Sequence, residues 1–579
     1  VLMRKRARWY YLHALLSLCL FPAGAWGNQL EVKIKGDYPE LQKNAEVFLG
    51  EIEDRSPDNL RRYASHAEDQ VREALRALGY YSPDISHQVT DQDPPKLVLE
   101  VEPGAPVRIE SRRVEVTGPA ASDPEFKPVK AEQIAPGKVL DHSAYASVKS
   151  TIQNRARRLG YFDGTFSQSR LEVDPETEAA NIQLVFQSGE RYRLGEVSFE
   201  PGHGFEEELL RRFVTFDPDT LYHADKVAQL NSDLSNSGYF SQVNVNASPQ
   251  DARNGTIPVT ISLTRRDPRS VAAGIGFSTN VGPRLRGSWT EHWINPEGHR
   301  RGVETELSAP SQSLSTWYEL PLDPPMTDSI RMTAGYLRED IEDVESELLT
   351  LGPQWQHQFD NDWQQIVSLR WQGERFRIGD EPSETSRLLL PGVGYSKLSA
   401  DSPLDPSEGY RLQLDVTGAH RSFFSDADIL QVVALARGLT TVGNGHRFLA
   451  RLQVGGIATN QFSDVPPSLR FFAGGDQSVR GYGYETLSPE DENGTDAGGR
   501  FLVVGSLEYQ FPLTDTWRLA AFVDEGNSMD SLSDSLATGV GAGVRWVSPV
   551  GPLRLDIAKG LDEEFGGEWR IHFSMGPEL

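Results

Sequence analysis

Trp569-Arg570-Ile571-His572-Phe573-Ser574-Met575 sets Trp569, Ile571, Phe573 and Met575 on one face of an extended chain and Arg570, His572 and Ser574 on the other. Successive side chains of a strand point to opposite sides. This strand therefore offers one face to an apolar medium and one to a polar medium. The same alternation occurs upstream in Leu553-Arg-Leu-Asp-Ile557 and Arg411-Leu-Gln-Leu-Asp-Val-Thr417. From about Asp267 onward such runs follow one another, separated by turn clusters such as Val442-Gly-Asn-Gly445 and Asp323-Pro-Pro325.

Candidate strands begin near Ser270, Pro283, His299, Leu314, Ser329, Glu345, Trp363, Ser386, Glu408, Ile429, His446, Phe501, Trp517, Ala537, Gly551 and Trp569. An even number of strands, each ~9–11 residues long, is what a transmembrane β-barrel requires. Trp289, Trp293, Trp317, Trp355, Trp363, Trp371, Trp517, Trp546 and Trp569 fall near strand ends, as interfacial girdles do. The expected fold is thus a transmembrane β-barrel of about 16 antiparallel strands over residues 266–579, preceded by smaller α+β modules. Two soluble β-sandwiches are the competing reading. The march of strands to the last residues and the aromatic face of the final one favour the barrel.

With 579 residues the chain holds more than one domain. Residues 1–27 read as an export signal: Arg4, Lys5, Arg6 and Arg8 precede an apolar stretch, and Ala23-Gly-Ala25 is a small-residue cleavage site. The apolar stretch is too short to span a bilayer, which takes ~20 residues. Cys19, the single cysteine, lies inside it after Leu18, which does not suit lipidation. The mature chain then lacks thiols, excluding disulfides and cysteine metal sites. The net charge of −26 argues against nucleic acid as a partner. No Gly-x-Ser-x-Gly, His-Glu-x-x-His or Walker loop is present, so neither an enzyme nor a cofactor is expected. Scattered acids such as Glu339, Asp340, Asp491 and Asp496 read as solvated loop charge.

The front half repeats itself. Ala77-Leu-Gly-Tyr-Tyr-Ser82 returns as Arg158-Leu-Gly-Tyr-Phe-Asp163 and Asn236-Ser-Gly-Tyr-Phe-Ser241, roughly 80 residues apart, the size of a small domain. Each copy runs strand, one or two helices, then two strands. The glycine reads as a left-handed helix end and the aromatics as core. Modules are expected over residues 28–104, 105–189 and 190–265. Their order resembles POTRA domains, which act through open sheet edges that an extended partner can join.

One connection is too long for a hairpin. Between Thr459 and Phe501 lies Gly474-Gly-Asp-Gln-Ser-Val-Arg-Gly-Tyr-Gly-Tyr484. Folded into a barrel lumen, Arg480 would need carboxylates. Glu508, in Gly505-Ser-Leu-Glu508, and Asp524, in Phe522-Val-Asp-Glu-Gly526, stand on the next two strands. This combination resembles the outer-membrane assembly-factor superfamily, whose sixth extracellular loop carries Val-Arg-Gly-Phe/Tyr. The resemblance implies a lumen-loop anchor at Val479, Arg480, Gly481 and Tyr482, with partners Glu508, Asp524 and Gly526. Three POTRA-like copies and the ending Gly576-Pro-Glu-Leu579 look most like the TamA family within it. That resemblance implies residence in the outer membrane with periplasmic N-terminal modules. It also implies a TamB-like inner-membrane-anchored partner, unfolded outer-membrane protein clients, contact with outer-membrane lipids, and insertase or translocation activity. A two-partner-type secretion transporter and a lipid-transport or envelope-homeostasis pore are the alternatives. The first and last strands are the expected lateral gate, at Gly274, Gly276, Phe573 and Gly576, because glycine weakens a strand. Six residues follow Phe573, where outer-membrane strands often end on an aromatic, and this leaves the seating of the last strand open.

Overall fold

A computed structural model describes residues 28–53, 55–127, 129–490, 494–548 and 551–576. The expected export signal, Asp491 and residues 577–579 lie outside these. Three small modules come first. Module one is β1 (Leu30–Ile34), α1 (Pro39–Leu49), α2 (Pro57–Ala77), β2 (Asp84–Val89) and β3 (Leu97–Glu102). Module two is β4 (Arg108–Thr117), α3 (His142–Leu159), β5 (Thr165–Asp174) and β6 (Ala179–Gln187). Module three is β7 (Arg193–Phe199), α4 (Glu207–Arg211), α5 (Ala224–Asn236), β8 (Phe240–Asn246) and β9 (Thr256–Arg265). In each sheet the last strand is central, in the orders β1-β3-β2, β4-β6-β5 and β7-β9-β8. Each sheet therefore has two edge strands, and the segments 137–140 and 219–222 pair with the starts of β4 and β7.

The chain divides into two compact units. The first holds modules one and two with residues up to 195, 219–225 and 248–257; the second holds 196–218, 226–247 and everything from 258 onward. Within the first unit, α2 presents Leu60, Ala64, Ala67, Val71 and Leu75 at helical spacing to Leu97, Leu99 and Val101 of β3. Helix α3 is capped by Asp141, whose carboxylate accepts from the Ser143 and Ala144 amides, and it ends on left-handed Gly160.

The repeated aromatics do more than fill cores. Tyr161 and Tyr239 are buried in their own modules. The following aromatic reaches onward in the first two copies: the Tyr81 hydroxyl lies 2.6 Å from His142 Nε2, and Phe162 packs edge-to-face on Tyr192 and Tyr222. In the second unit Tyr239 itself makes the onward contact. Its hydroxyl donates to the Gly298 carbonyl at 2.6 Å, and the Arg300 guanidinium stands 4.3 Å over its ring. The reading as core and cap was incomplete, because a joint leaves no separate trace in the motif.

The barrel strands are β10 (Arg269–Ser278), β11 (Gly282–Glu291), β12 (Arg300–Leu307), β13 (Ser311–Pro321), β14 (Asp328–Ile341), β15 (Val344–Gln358), β16 (Gln364–Ile378), β17 (Glu384–Ala400), β18 (Gly409–Ala419), β19 (Ile429–Val442), β20 (His446–Thr459), β21 (Phe501–Pro512), β22 (Trp517–Met529), β23 (Ala537–Ser548), β24 (Gly551–Gly560) and β25 (Trp569–Met575). They form one 16-stranded antiparallel sheet in sequence order. Every strand starts within three residues of its expected position. Alternation is kept: Leu553, Leu555, Ile557, Trp569 and Ile571 face outward, while Asp556 and His572 are buried inside.

The sheet closes only loosely. No residue ladder joins β10 to β25 among the described residues. Two hydrogen bonds bring the ends together, from the Thr279 amide to the Phe573 carbonyl (3.1 Å) and from the Phe573 amide to Thr279 Oγ1 (3.2 Å). The Phe277 and Phe573 rings stand 5.8 Å apart beside them.

Candidate functional site

The connection 460–500, here called loop 6, folds inward and builds its own core. Val465, Leu469, Phe471, Ala473, Val479, Tyr482 and Leu487 are buried together with Leu388 and Leu390 of β17, Ile457, Leu502, Val504 and Ala537. Reciprocal amide–carbonyl bonds between Ala473 and Leu487 (3.0 Å each) close the neck of its tip. Gly481 turns with φ +95°, and a methyl group there would stand 2.4 Å from the Gly560 nitrogen. Only glycine fits that approach.

That turn aims Arg480 at three strands. Arg480 Nε and Nη2 grip Asp524 Oδ2 and Oδ1 at 2.7 and 2.9 Å, a two-pronged contact. Nη1 reaches Glu508 Oε2 (2.9 Å) and Asp556 Oδ2 (3.1 Å). The backbone amide of Arg480 also donates to Asp524 Oδ2, at 3.1 Å. Ser506 Oγ donates to Asp524 Oδ1 at 2.5 Å, and the Phe522 ring centroid lies 3.2 Å from the Arg480 guanidinium carbon. Arg545 on β23 completes the set, contacting both oxygens of Glu508 (2.9 and 2.8 Å) and of Asp556 (2.6 and 3.2 Å). Two guanidinium groups and three carboxylates thus form one buried clasp, satisfying charges that would be costly singly.

Of the sequence-derived residues, Glu508 and Asp524 meet Arg480 directly. Val479 lies in the loop core. The Tyr482 hydroxyl lies 3.0 Å from the Thr538 carbonyl and 3.1 Å from the Asp562 carboxylate. Gly526 is corrected. It does not contact Arg480; a Cβ there would stand 2.5 Å from the Val503 carbonyl, so it serves close strand packing.

Asp556, Arg545 and His572 went unrecognised. Asp556 and His572 occupy polar positions in runs whose alternation was plain, so inward charge level with the loop was the available signal. His572 Nε2 accepts the Gly481 amide at 3.0 Å, tying the loop to the last strand. A row of glycines on β23 was also missed. A Cβ on Gly539 would meet the Arg480 carbonyl at 1.9 Å, on Gly541 the Phe522 ring at 2.4 Å, and on Gly543 the Asp556 carboxylate at 1.8 Å.

At the expected gate, Gly276 gives room inside the barrel to the Arg284 side chain, whose Nε a Cβ there would meet at 2.9 Å, whereas Gly274 is uncrowded. Phe573 makes the seam contacts described above. Gly576 is corrected: its amide donates to the Pro552 carbonyl at 3.1 Å, so it turns toward β24 instead of joining β10.

Both mouths are covered. At the outer end Asp496 and Glu485 of loop 6 sit among acids. Burial, then Asp343 and Glu490, push Asp496 up to about 6; burial, then Glu339 and Glu342, push Glu485 up to about 7. At the periplasmic end the turn 401–408 reaches across. Asp405 accepts from Arg447 Nη1 (2.7 Å) on β20 and from Arg518 Nη2 (2.9 Å) on β22. Burial opposes the Asp405 charge, but the two arginines prevail and hold its pKa below the usual range.

Comparison with known proteins agrees with this architecture. A family model described as the Omp85 superfamily domain matches residues 238–578. A model described as POTRA domain TamA domain 1 matches 31–103, and one described as a surface antigen variable number repeat, a POTRA domain, matches 192–266. The outer membrane protein assembly factor BamA of Nitratidesulfovibrio vulgaris is 23% identical over 429 residues, covering 70% of this chain and 54% of that protein. BamA of Neisseria meningitidis serogroup B is 23% identical over 564 residues, covering 84% and 69%. The chain thus spans about half the length of the first of these relatives. The crystal structure of BamA from Haemophilus ducreyi lacking POTRA domains 1-3 superposes with a TM-score of 0.68 at 15% identity, covering 81% of this chain and 99% of that one.

Proposed function

The chain belongs to the Omp85 superfamily, and from that premise we propose that it assembles outer-membrane proteins through the seam between β10 and β25. It resides in the outer membrane with its N-terminal modules in the periplasm. The observation that carries the proposal is the seam itself. Every other neighbouring pair in the barrel is joined by a ladder, whereas β10 and β25 meet through Thr279, Phe277 and Phe573. Parting two such ends exposes unpaired backbone groups, which inside lipid must be satisfied by another strand. An unfolded barrel strand supplies them.

Passage of a client through the lumen is the less favoured route. The clasp holds loop 6 inside, and Asp405 straps the periplasmic end. A lumen conduit would require breaking both.

The finer reading is a TamA-type subunit working with an elongated, inner-membrane-anchored TamB-like partner on autotransporter and related clients. The match of residues 31–103 to a TamA first POTRA domain supports it, as do the three modules. On this reading the chemistry is non-covalent throughout.

The test is a reversible lock. Thr279→Cys with Phe573→Cys places two thiols at the seam of a chain whose natural cysteine is Cys19. Oxidation is expected to stop insertion of a client barrel into proteoliposomes, and reductant to restore it. Insertion that continues in the oxidised protein rejects the seam. Photocrosslinking from module one tests the partner; capture of no elongated inner-membrane protein sinks the TamA-type assignment while leaving the seam standing.

A further inference from the structure

Three arginines stand side by side on the lumen wall. Arg411 of β18 lies directly opposite Arg437 of β19, and Arg437 lies directly opposite Arg451 of β20. Directly opposite residues share a face of the sheet, and like charges so placed repel. Neighbouring strands are only ~4.8 Å apart. A pair of opposite charges would have cost the fold nothing, so the row calls for a counter-charge.

The protein supplies little of it. Arg411 Nη2 donates to Gln413 Oε1 (3.3 Å), and only through that amide does it meet Asp415. Arg451 gives its two Nη groups to the carbonyls of Gln477 and Ser478 in loop 6. Arg437 and Arg451 line a cavity of about 60 Å³ with Arg554 of β24, Asp476, Ser506 and Arg480. Glu508 also borders it but is engaged by Arg480 and Arg545. Arg480 in turn is neutralised by the clasp. Among the described residues lining the cavity, Asp476 is the carboxylate that the clasp does not engage.

The buried polar atoms there with no hydrogen-bond partner among the described residues include Arg437 Nε, Arg451 Nε and Asp476 Oδ2. The other Asp476 oxygen accepts from Asn280 Nδ2 at 2.8 Å. Buried polar atoms are nearly always satisfied, so a water or a bound ion is the expected partner of these. The cavity exceeds several-fold the roughly 10–15 Å³ that one water needs. Its demands are specific: two donors want acceptor oxygens, and one carboxylate oxygen wants an O–H. Chloride has no hydrogen to give, and sulfate has none at neutral pH. Hydrogen phosphate and phosphomonoesters carry both acceptor oxygens and a P–OH, and guanidinium groups are the usual phosphate ligands.

We propose that the lumen beneath loop 6 binds a protonated phosphate group, as hydrogen phosphate or a phosphomonoester, between Arg437, Arg451 and Asp476. Bound there, the anion neutralises the arginine row and bridges the wall to the base of loop 6.

The test uses the full chain, folded in zwitterionic detergent at pH 6.5 and fixed ionic strength, titrated calorimetrically with inorganic phosphate, sn-glycerol 3-phosphate or sulfate. Saturable one-to-one binding is expected for phosphate, at least tenfold tighter than for sulfate. Glycerol 3-phosphate distinguishes a free ion from an ester: binding comparable to phosphate places an ester group in the site, and its exclusion restricts the site to the free ion. Arg437→Gln is expected to weaken phosphate binding at least tenfold while keeping heat-modifiable gel migration. Should that variant misfold, Asp476→Asn serves instead, and is expected to erase the preference for phosphate over sulfate. Absence of saturable phosphate binding, equal binding of sulfate, or binding indifferent to the variant overturns the proposal.

Discussion

Replacing Arg480 by alanine isolates what the clasp contributes. In the folded chain the Arg480 side chain is 8% exposed and that of Asp524 is 0% exposed. Truncation leaves Glu508 and Asp556 paired with Arg545. Asp524 keeps only Ser506 Oγ and the backbone amide of residue 480. It becomes a buried carboxylate with no guanidinium bonded to it among the described residues, and breaking such a pair costs about 3–5 kcal/mol. The burial is deep enough that solvent screening takes little from this figure. Removing the now unpaired carboxylate as well restores part of the loss. Arg480→Ala/Asp524→Ala is therefore expected to be less destabilised than the sum of its two single variants, by about 1–3 kcal/mol. Urea unfolding of the barrel, followed by tryptophan fluorescence and heat-modifiable migration, gives the four corners of the cycle. Hydrogen exchange of residues 473–487 reports the loop separately. Arg480→Lys keeps the charge but not the fork on Asp524, and is expected to fall between wild type and alanine. A loss below about 1 kcal/mol for Arg480→Ala, or additive single variants, would refute the clasp as the tie that holds loop 6.

Three further outcomes follow from the same geometry. Gly539→Ala drives a methyl group into the Arg480 carbonyl; it is expected to raise exchange throughout loop 6 by an amount similar to Arg480→Ala, and an unperturbed loop would contradict the close approach. Asp496 near 6 and Glu485 near 7 hold protons in the folded loop that the released loop gives up near pH 4, so docking of the tip is strongest below about pH 4 and weakens as pH rises from there through 6 and 7; tip amides with smaller protection factors, relative to intrinsic exchange, at pH 5 than at pH 8 would have the wrong sign. Asp405→Asn removes the charge from two arginine contacts, worth about 1.5–3 kcal/mol; more frequent openings in planar bilayers are expected, and wild-type conductance would show that the turn 401–408 does not close the periplasmic mouth.

The barrel was legible because its constraint is repeated along the whole chain. Each strand must alternate, and each turn must break the run, so Trp569 to Met575 carries the same message as fifteen other strands. The inward direction of loop 6 was also legible: forty residues with a central arginine and two acids on the following strands have one economical arrangement. The remainder of the clasp depends on which strands face each other across the lumen. Arg545 and Asp556 are unremarkable in their own runs, and only the closed sheet brings them to Glu508. The glycines of β23 look like weak strand residues until the Arg480 carbonyl, the Phe522 ring and the Asp556 carboxylate are seen in the space they leave. Gly526 and Gly576 were misassigned for the converse reason: a motif position does not reveal whether a glycine makes room for a ligand, a neighbouring strand or a turn.

Loop 6 ties to both sides of the seam, but on the β25 side it bonds to the strand itself. Gly481 donates its amide to His572 on β25 and accepts at its carbonyl from the Glu568 amide at 3.3 Å. The last strand is thereby held by β24 and by loop 6 together. Strand β10 has no such second tie to the lumen plug beyond Asn280, which follows it and bonds Asp476 at 2.8 Å. Its inward positions Gly274 and Gly276 carry no side chain to anchor it. Next to it, the turn between β11 and β12 is clamped into module three through Gly298, Arg300 and the Phe205–Trp293 contact. If the seam opens as proposed, β10 is the edge expected to move, because the β11–β12 turn next to it is held by module three. On that proposal a client strand would be templated on β10, while β25 stays held by β24 and by the Gly481 contacts to His572 and Glu568.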